Sequence, residues 1–201
     1  MLHLMRYISL LMIEILCMKH SKFILLILVF GTMTIASCKK HDHNDEEELI
    51  TTLIYTLTSQ SDGAVVEMSF KDPDGDGGIA PVVTGGILKT NHIYSGVLTL
   101  LNESVNPVED ITEAIQLEAV NHQFFFSSSI PGISIIYDDS DINNRPLGLK
   151  SILTTGAIGT GSLKITLRHN PNKNASGVSA GNIANAGGET DIEVNFQLSV
   201  Q

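Results

Sequence analysis

Cysteine is almost missing from this chain. Of its 201 residues two are cysteine, Cys17 and Cys38, and none follows position 38. A secreted domain often staples its loops with disulfides; this one has to hold them by packing, hydrogen bonds or bound ions. Basic residues are scarce as well: 12 Lys and Arg stand against 22 Asp and Glu. Phosphate recognition needs basic stripes, so nucleic acid is excluded as an expected partner and cations are favoured. Long apolar runs are also lacking. The longest unbroken one, Phe23 to Phe30, continues weakly to Ile35, short of the ~20 residues a spanning helix needs.

What the N-terminus does contain is a secretion signal. Lys19 and Lys22 form a positive n-region, the run from Phe23 is an h-region, and "IASC" follows. Ile35, Ala36, Ser37 and Cys38 resemble the lipobox of bacterial lipoproteins. Cleavage between Ser37 and Cys38 would leave Cys38 first, carrying a diacylglycerol and an N-acyl chain. Each buried methylene contributes ~0.8 kcal/mol, so several chains anchor firmly. The competing reading is an uncleaved membrane helix, which the shortness of the run and the placement of the cysteine disfavour. Residues 1–17 carry a second apolar patch, "YISLLMIEIL", broken by Glu14. Met18 opens a complete n-region of its own, so translation is expected to start there, with a double membrane anchor as the alternative.

Residues 38–48, "CKKHDHNDEEE", offer nothing apolar to pack and read as a flexible acidic tether. Lys39 stands where an Asp would resemble an inner-membrane retention mark. The acidic cluster resembles the surface-export signals of Bacteroidetes lipoproteins. The expected location is therefore the outer membrane, on its cell-surface or periplasmic face. His41 and His43 with Asp42 and Asp45 can hold a transition metal loosely; a solvated linker is the plainer reading. Without residues 1–37 the chain keeps nine basic and 21 acidic residues, a net charge of −12.

Residues 49–201 form one domain with a real core, read as mainly β. About eight strands are expected: 48–58, 64–70 and 92–103, then "HQFFFS", "GISIIYD", "LKSILTT", "GSLKITLRH" and "TDIEVNFQLSV". In the second, Val66, Met68 and Phe70 share one face. Short strands between Gly, Asn, Asp and Pro turns predict an antiparallel β-sandwich, Ig-like or jelly-roll-like. One stretch breaks the pattern. Ile111, Ile115, Glu118, Ala119 and His122 fall at helical spacing, Pro107 suits a helix start, and Glu109, Asp110 and Glu113 complement the dipole. One short helix, about 108–120, is expected to cross the domain.

Two acidic loops are candidate cation sites. In "DPDGDGGI", Asp72, Asp74 and Asp76 alternate before Gly77. Carboxylates at this spacing can converge on Ca²⁺, which takes six to eight oxygens. The pattern resembles the first half of an EF-hand loop, with Val83 in place of the closing Glu. In "YDDSDINNRPLG", Asp139, Asp141 and Asn143 repeat the idea, Asn144 stands where Gly77 stands in the first loop, and Lys150 takes the closing position. Each loop is also an ordinary Asp/Gly- or Asp/Asn-rich turn.

His122 and His169 invite an acid–base reading, with Glu118 one helical turn before His122. No Ser or Cys sits in a nucleophile motif, and His122 also reads as a capping or core histidine. "GAIGTG" lacks the following Lys-Ser/Thr of a phosphate loop, and residues 176–191 read as a binding loop or a flexible connection.

Together, "SFKDPDGDGG", "YSGVLTLLNES", "ITEAIQLEAVNHQFFF", "LGLKSILTTG", "LRHNPNK" and "NAGGETDIEV" resemble small lipoproteins of Flavobacteria and other Bacteroidetes that carry the label "type 1 periplasmic binding fold superfamily protein". The label implies a ligand-binding role. Two α/β lobes around a hinge would need more length and alternating helices than this chain has. The expectation is a non-enzymatic outer-membrane lipoprotein whose sandwich is stabilised, or equipped for binding, by Ca²⁺. A small-ligand-binding lipoprotein feeding a transporter is the alternative, and a hydrolase using His122 or His169 stands third.

Overall fold

A computed structural model describes residues 49–75 and 77–201. The signal segment, the Ser37–Cys38 junction, His41, His43 and Asp76 lie outside the described residues. Eleven strands, one α-helix and two three-residue 3₁₀ helices, Val178–Ala180 and Ile183–Asn185, are formed among those described.

Alternation of apolar and polar residues sets the long strands. In β1 (Thr52–Ser59), Leu53, Tyr55 and Leu57 are fully buried. The opposite face carries Ile54, Thr56 and Thr58. β2 (Val65–Lys71) runs antiparallel to β1, and its Met68 is fully buried with Val66 and Phe70 packed beside it. β3 (Val82–Thr84) lengthens the edge beyond β2. β5 (Ile93–Asn102) pairs the other side of β1 and buries Tyr94, Leu98 and Leu100. β9 (Lys150–Thr154) and β8 (Ser134–Tyr137) complete the sheet in the order β3-β2-β1-β5-β9-β8, with the two-residue β6 (Glu109–Asp110) on the end of β5.

The second sheet runs β4 (Gly86–Leu88), β11 (Glu189–Val200), β10 (Gly159–His169), β7 (His122–Ser128). Its long strands turn Phe124, Leu163, Ile165, Leu167, Val194, Phe196 and Leu198 into the same core as the first sheet's apolar face. The chain therefore builds the expected β-sandwich. All pairings are antiparallel except that of β4, which lies parallel to β11.

The helix α1 (Ile111–Leu117) carries the chain from the β5–β6 edge into β7 of the second sheet. It is shorter than expected at both ends. Asp110, rather than Pro107, opens it: the Asp110 carboxylate accepts from Thr112 N, an N-cap bond. Ile111 and Ile115 are buried as their spacing predicted. Thr112 Oγ1 bonds both the N–H and the carbonyl of Leu100, which ties the helix to β5.

One close approach inside the first sheet requires glycine. A Cβ on Gly96 would lie 2.5 Å from Tyr55 Oη and 2.7 Å from Ser151 Oγ. The bare backbone lets these two hydroxyls bond each other at 2.7 Å in the buried interior. Burial pushes the Tyr55 phenol up to about 12 against that hydrogen bond.

Candidate metal centre

β7 starts at His122 and β10 ends at His169, and the antiparallel register sets these two residues directly opposite each other. Cross-strand partners point to the same face. Their parity with Phe124 and Leu167 makes that the core face. The rings accordingly lie together, centroids 4.7 Å apart and tilted by 43°.

The third member arrives through an irregularity. Along β10, Leu167 pairs with Ile192 and Arg168 with Thr190, so the ladder skips Asp191. An extra residue in one strand bends it and re-aims a side chain. Regular alternation would place Asp191 outside with Glu193, because Ile192, Val194 and Phe196 face inward. The bulge turns it in, and its side chain is only 2% exposed. The turn before β11 is equally tight. Gly188 has φ +69°, and a Cβ there would lie 2.1 Å from the His169 carbonyl oxygen, so the start of β11 is pressed against the end of β10.

The result is a triad of donors from three strands. His122 Nε2 lies 3.7 Å from Asp191 Oδ2, and His169 Nδ1 lies 3.7 Å from Asp191 Oδ1. All three donor atoms fall within 4.8 Å of one another. His122 Nδ1 lies 3.2 Å from the Glu118 carbonyl. A carbonyl only accepts, so this bond puts the proton on Nδ1 and leaves the Nε2 lone pair facing Asp191. Burial lowers the His122 pKa despite that bond, and the neighbouring His169 and Lys173 add to the effect. The neutral imidazole is the metal-binding form. His122 is 1% exposed and His169 14%, so the centre is closed on one side and reachable on the other.

The acidic loops are used differently. Among the described residues, His122, His169 and Asp191 are the one group of three such side chains with converging donors. Asp74 Oδ2 accepts from Ile79 N at 2.8 Å, while Asp72 Oδ1 is buried and has no hydrogen-bond partner among the described residues. Gly77 takes a left-handed φ of 93°. In the second loop both Asp139 oxygens accept backbone N–H bonds, from Gly148 and Lys150. Asp141 Oδ1 accepts from Asn143 N and Arg145 N, and Oδ2 accepts from Lys173 Nζ at 3.1 Å. Asn143 contributes its backbone N–H here, and Asn144 is left-handed at φ 57°.

Lys173 is the cation of that loop. Its ammonium also donates to the carbonyls of Ala119 and Pro146, at 2.6 and 2.9 Å. All three of its N–H groups are thus taken, with the side chain 5% exposed. Burial works against the Asp141 carboxylate, but the Arg145 and Asn143 N–H groups and Lys173 together hold it below its ordinary value. Burial also lowers the Lys173 ammonium, against the pull of Asp141 and Asp139.

Sequence reasoning named both histidines but looked for the carboxylate at Glu118, which supplies its backbone carbonyl instead. Comparison with protein-family models, with curated proteins and with solved structures finds no match to this chain.

Proposed function

We propose that this chain is a non-enzymatic, lipid-anchored protein of a bacterial outer membrane, in which a rigid β-sandwich is displayed from the bilayer for binding or for structural support. The observation that carries the reading is the placement of Cys38. It ends an apolar run of signal-peptide length, follows small residues, and precedes a stretch of charge that gives way to the first strand at Thr52. A domain held this way needs no helix in the membrane, and among the described residues no helix is long and apolar enough to cross one. The resemblance to small Bacteroidetes lipoproteins supports the same location.

Within this reading, calcium belongs to the first acidic loop, Asp72 to Asp76. At Asp139, Asp141 and Asn143 the hydrogen bonds and Lys173 already serve as an internal substitute for an ion. The transporter-linked alternative calls for an enclosed apolar pocket with a few converging polar groups. Among the described residues, the groove of ≈ 310 Å³ beside Phe125, Phe126, Lys164 and Glu193 is open and mixed in character, unlike such a pocket. A hydrolase using His122 or His169 stands third, with Asp191, 3.7 Å from each ring, as the carboxylate it would use.

Cell fractionation tests the anchor. The parent is expected in the outer-membrane fraction and Cys38→Ala as an unprocessed precursor. A parent found in the soluble fraction would overturn the proposal. Protease shaving of intact cells then distinguishes surface from periplasmic display. For the first loop, a melting temperature equal in Ca²⁺ and in EDTA would remove calcium from the reading.

A further inference from the structure

We propose that His122, His169 and Asp191 form a binding site for one divalent first-row transition metal ion, with Zn²⁺ the ion whose chemistry fits best.

The donor set selects the ion. Two imidazoles and one carboxylate suit Zn²⁺, Fe²⁺, Ni²⁺ or Cu²⁺, while Ca²⁺ and Mg²⁺ call for oxygen donors throughout. The spacing agrees. Zn–N and Zn–O bonds of about 2.0–2.2 Å in tetrahedral geometry separate neighbouring donors by roughly 3.4 Å. Each imidazole nitrogen lies 3.7 Å from a different oxygen of the Asp191 carboxylate, and the three donors lie within 4.8 Å of one another, so side-chain movement on the order of 1 Å closes the site. At 3.7 Å neither pair is a direct hydrogen bond, yet the three polar groups are held together in a largely buried place.

Two further features point to a ligand in that place. The Glu118 carbonyl accepts a hydrogen bond from Nδ1–H of His122, the outer contact that fixes the tautomer of a metal-binding histidine. The bulge at Asp191 exists in the ladder at this one position of the β10–β11 pair, and its effect is to swing a carboxylate from the solvent face to the histidines. Lys173 is held in an ion pair with Asp141. Three protein donors leave a fourth position, which opens on the side of the more exposed His169 and would take water or a partner's side chain. An ion here would tie together the ends of β7, β10 and β11.

The site is tested on the processed full-length protein with Co²⁺ and Zn²⁺ as probes. One equivalent of Co²⁺ should give visible absorption bands of a low-coordinate site, displaced by Zn²⁺, and excess Zn²⁺ should raise the melting temperature by several degrees. His169→Ala and Asp191→Asn should each weaken Co²⁺ binding at least tenfold. His41→Ala/His43→Ala should leave it unchanged, which separates the centre from the tether histidines. If His169→Ala does not fold, the near-isosteric Asp191→Asn decides. A parent protein with no Co²⁺ bands and a melt insensitive to Zn²⁺ would overturn the proposal. So would bands that survive Asp191→Asn but vanish with the tether histidines.

Discussion

Lys173 and Asp141 show what a single buried pair does in this protein. Each is 6% exposed as a residue, and the ammonium satisfies three acceptors, two from the β8–β9 loop and one just past the helix end. Removing one partner of such a pair leaves a buried uncompensated charge, which costs about 3–5 kcal/mol. Asp141→Ala is therefore expected to lose stability of that order in urea unfolding. The double variant Asp141→Leu/Lys173→Met should be far closer to the parent than the single one. The pH dependence follows from the depressed Asp141 carboxylate. The stability it adds is complete above the ordinary carboxylate value of 3.8 and is lost as pH falls through the lower folded-state value. Asp141→Asn should accordingly show a flatter loss of stability on acidification below that point, measured by denaturant midpoints across the acid range. Gly96 is a second residue with a defined cost. Its Cβ would press on the Tyr55–Ser151 hydrogen bond, and overpacking a filled core costs about 1–3 kcal/mol. Gly96→Ala should fall in that range by the same measurement.

At the scale of elements, α1 depends on its cap and its apolar stripe. Asp110→Ala removes the bond to Thr112 N and is expected to cost about 1 kcal/mol. Ile115→Ala empties a fully buried position and should cost about 2–5 kcal/mol. Chemical denaturation of the two variants checks the contrast between an exposed cap and a core contact. The same elements show what was legible in the sequence. Eight strands announced themselves by alternation, and all eight are present. β3, β4 and β6 are two or three residues long, too short for a period of two to register. The helix was recognised by Ile111 and Ile115, but its start was assigned to Pro107 because capping by Asp110 depends on where the chain turns. Asp191 was hidden for a stronger reason. Alternation through Ile192, Val194 and Phe196 places it outside, and only the skipped rung opposite β10 turns it inward. The second acidic loop hid its counter-ion similarly: Lys173 lies 32 residues beyond Asp141 and meets it only in the folded sandwich.

On the scale of the whole molecule, two sheets close one apolar core with no cysteine beyond position 38. Packing, glycine-dependent close approaches and buried polar pairs take the place of disulfides. The surplus of acidic over basic residues favours solubility and attracts cations. A lipid on Cys38 would give this sandwich its place in the proposed function, and mass spectrometry of the N-terminal peptide from membrane-extracted protein addresses it most directly. The expected peptide begins at Cys38 and carries the mass of a diacylglycerol with an additional acyl chain. A peptide that begins upstream of Cys38, or one that begins there without lipid, would contradict the account.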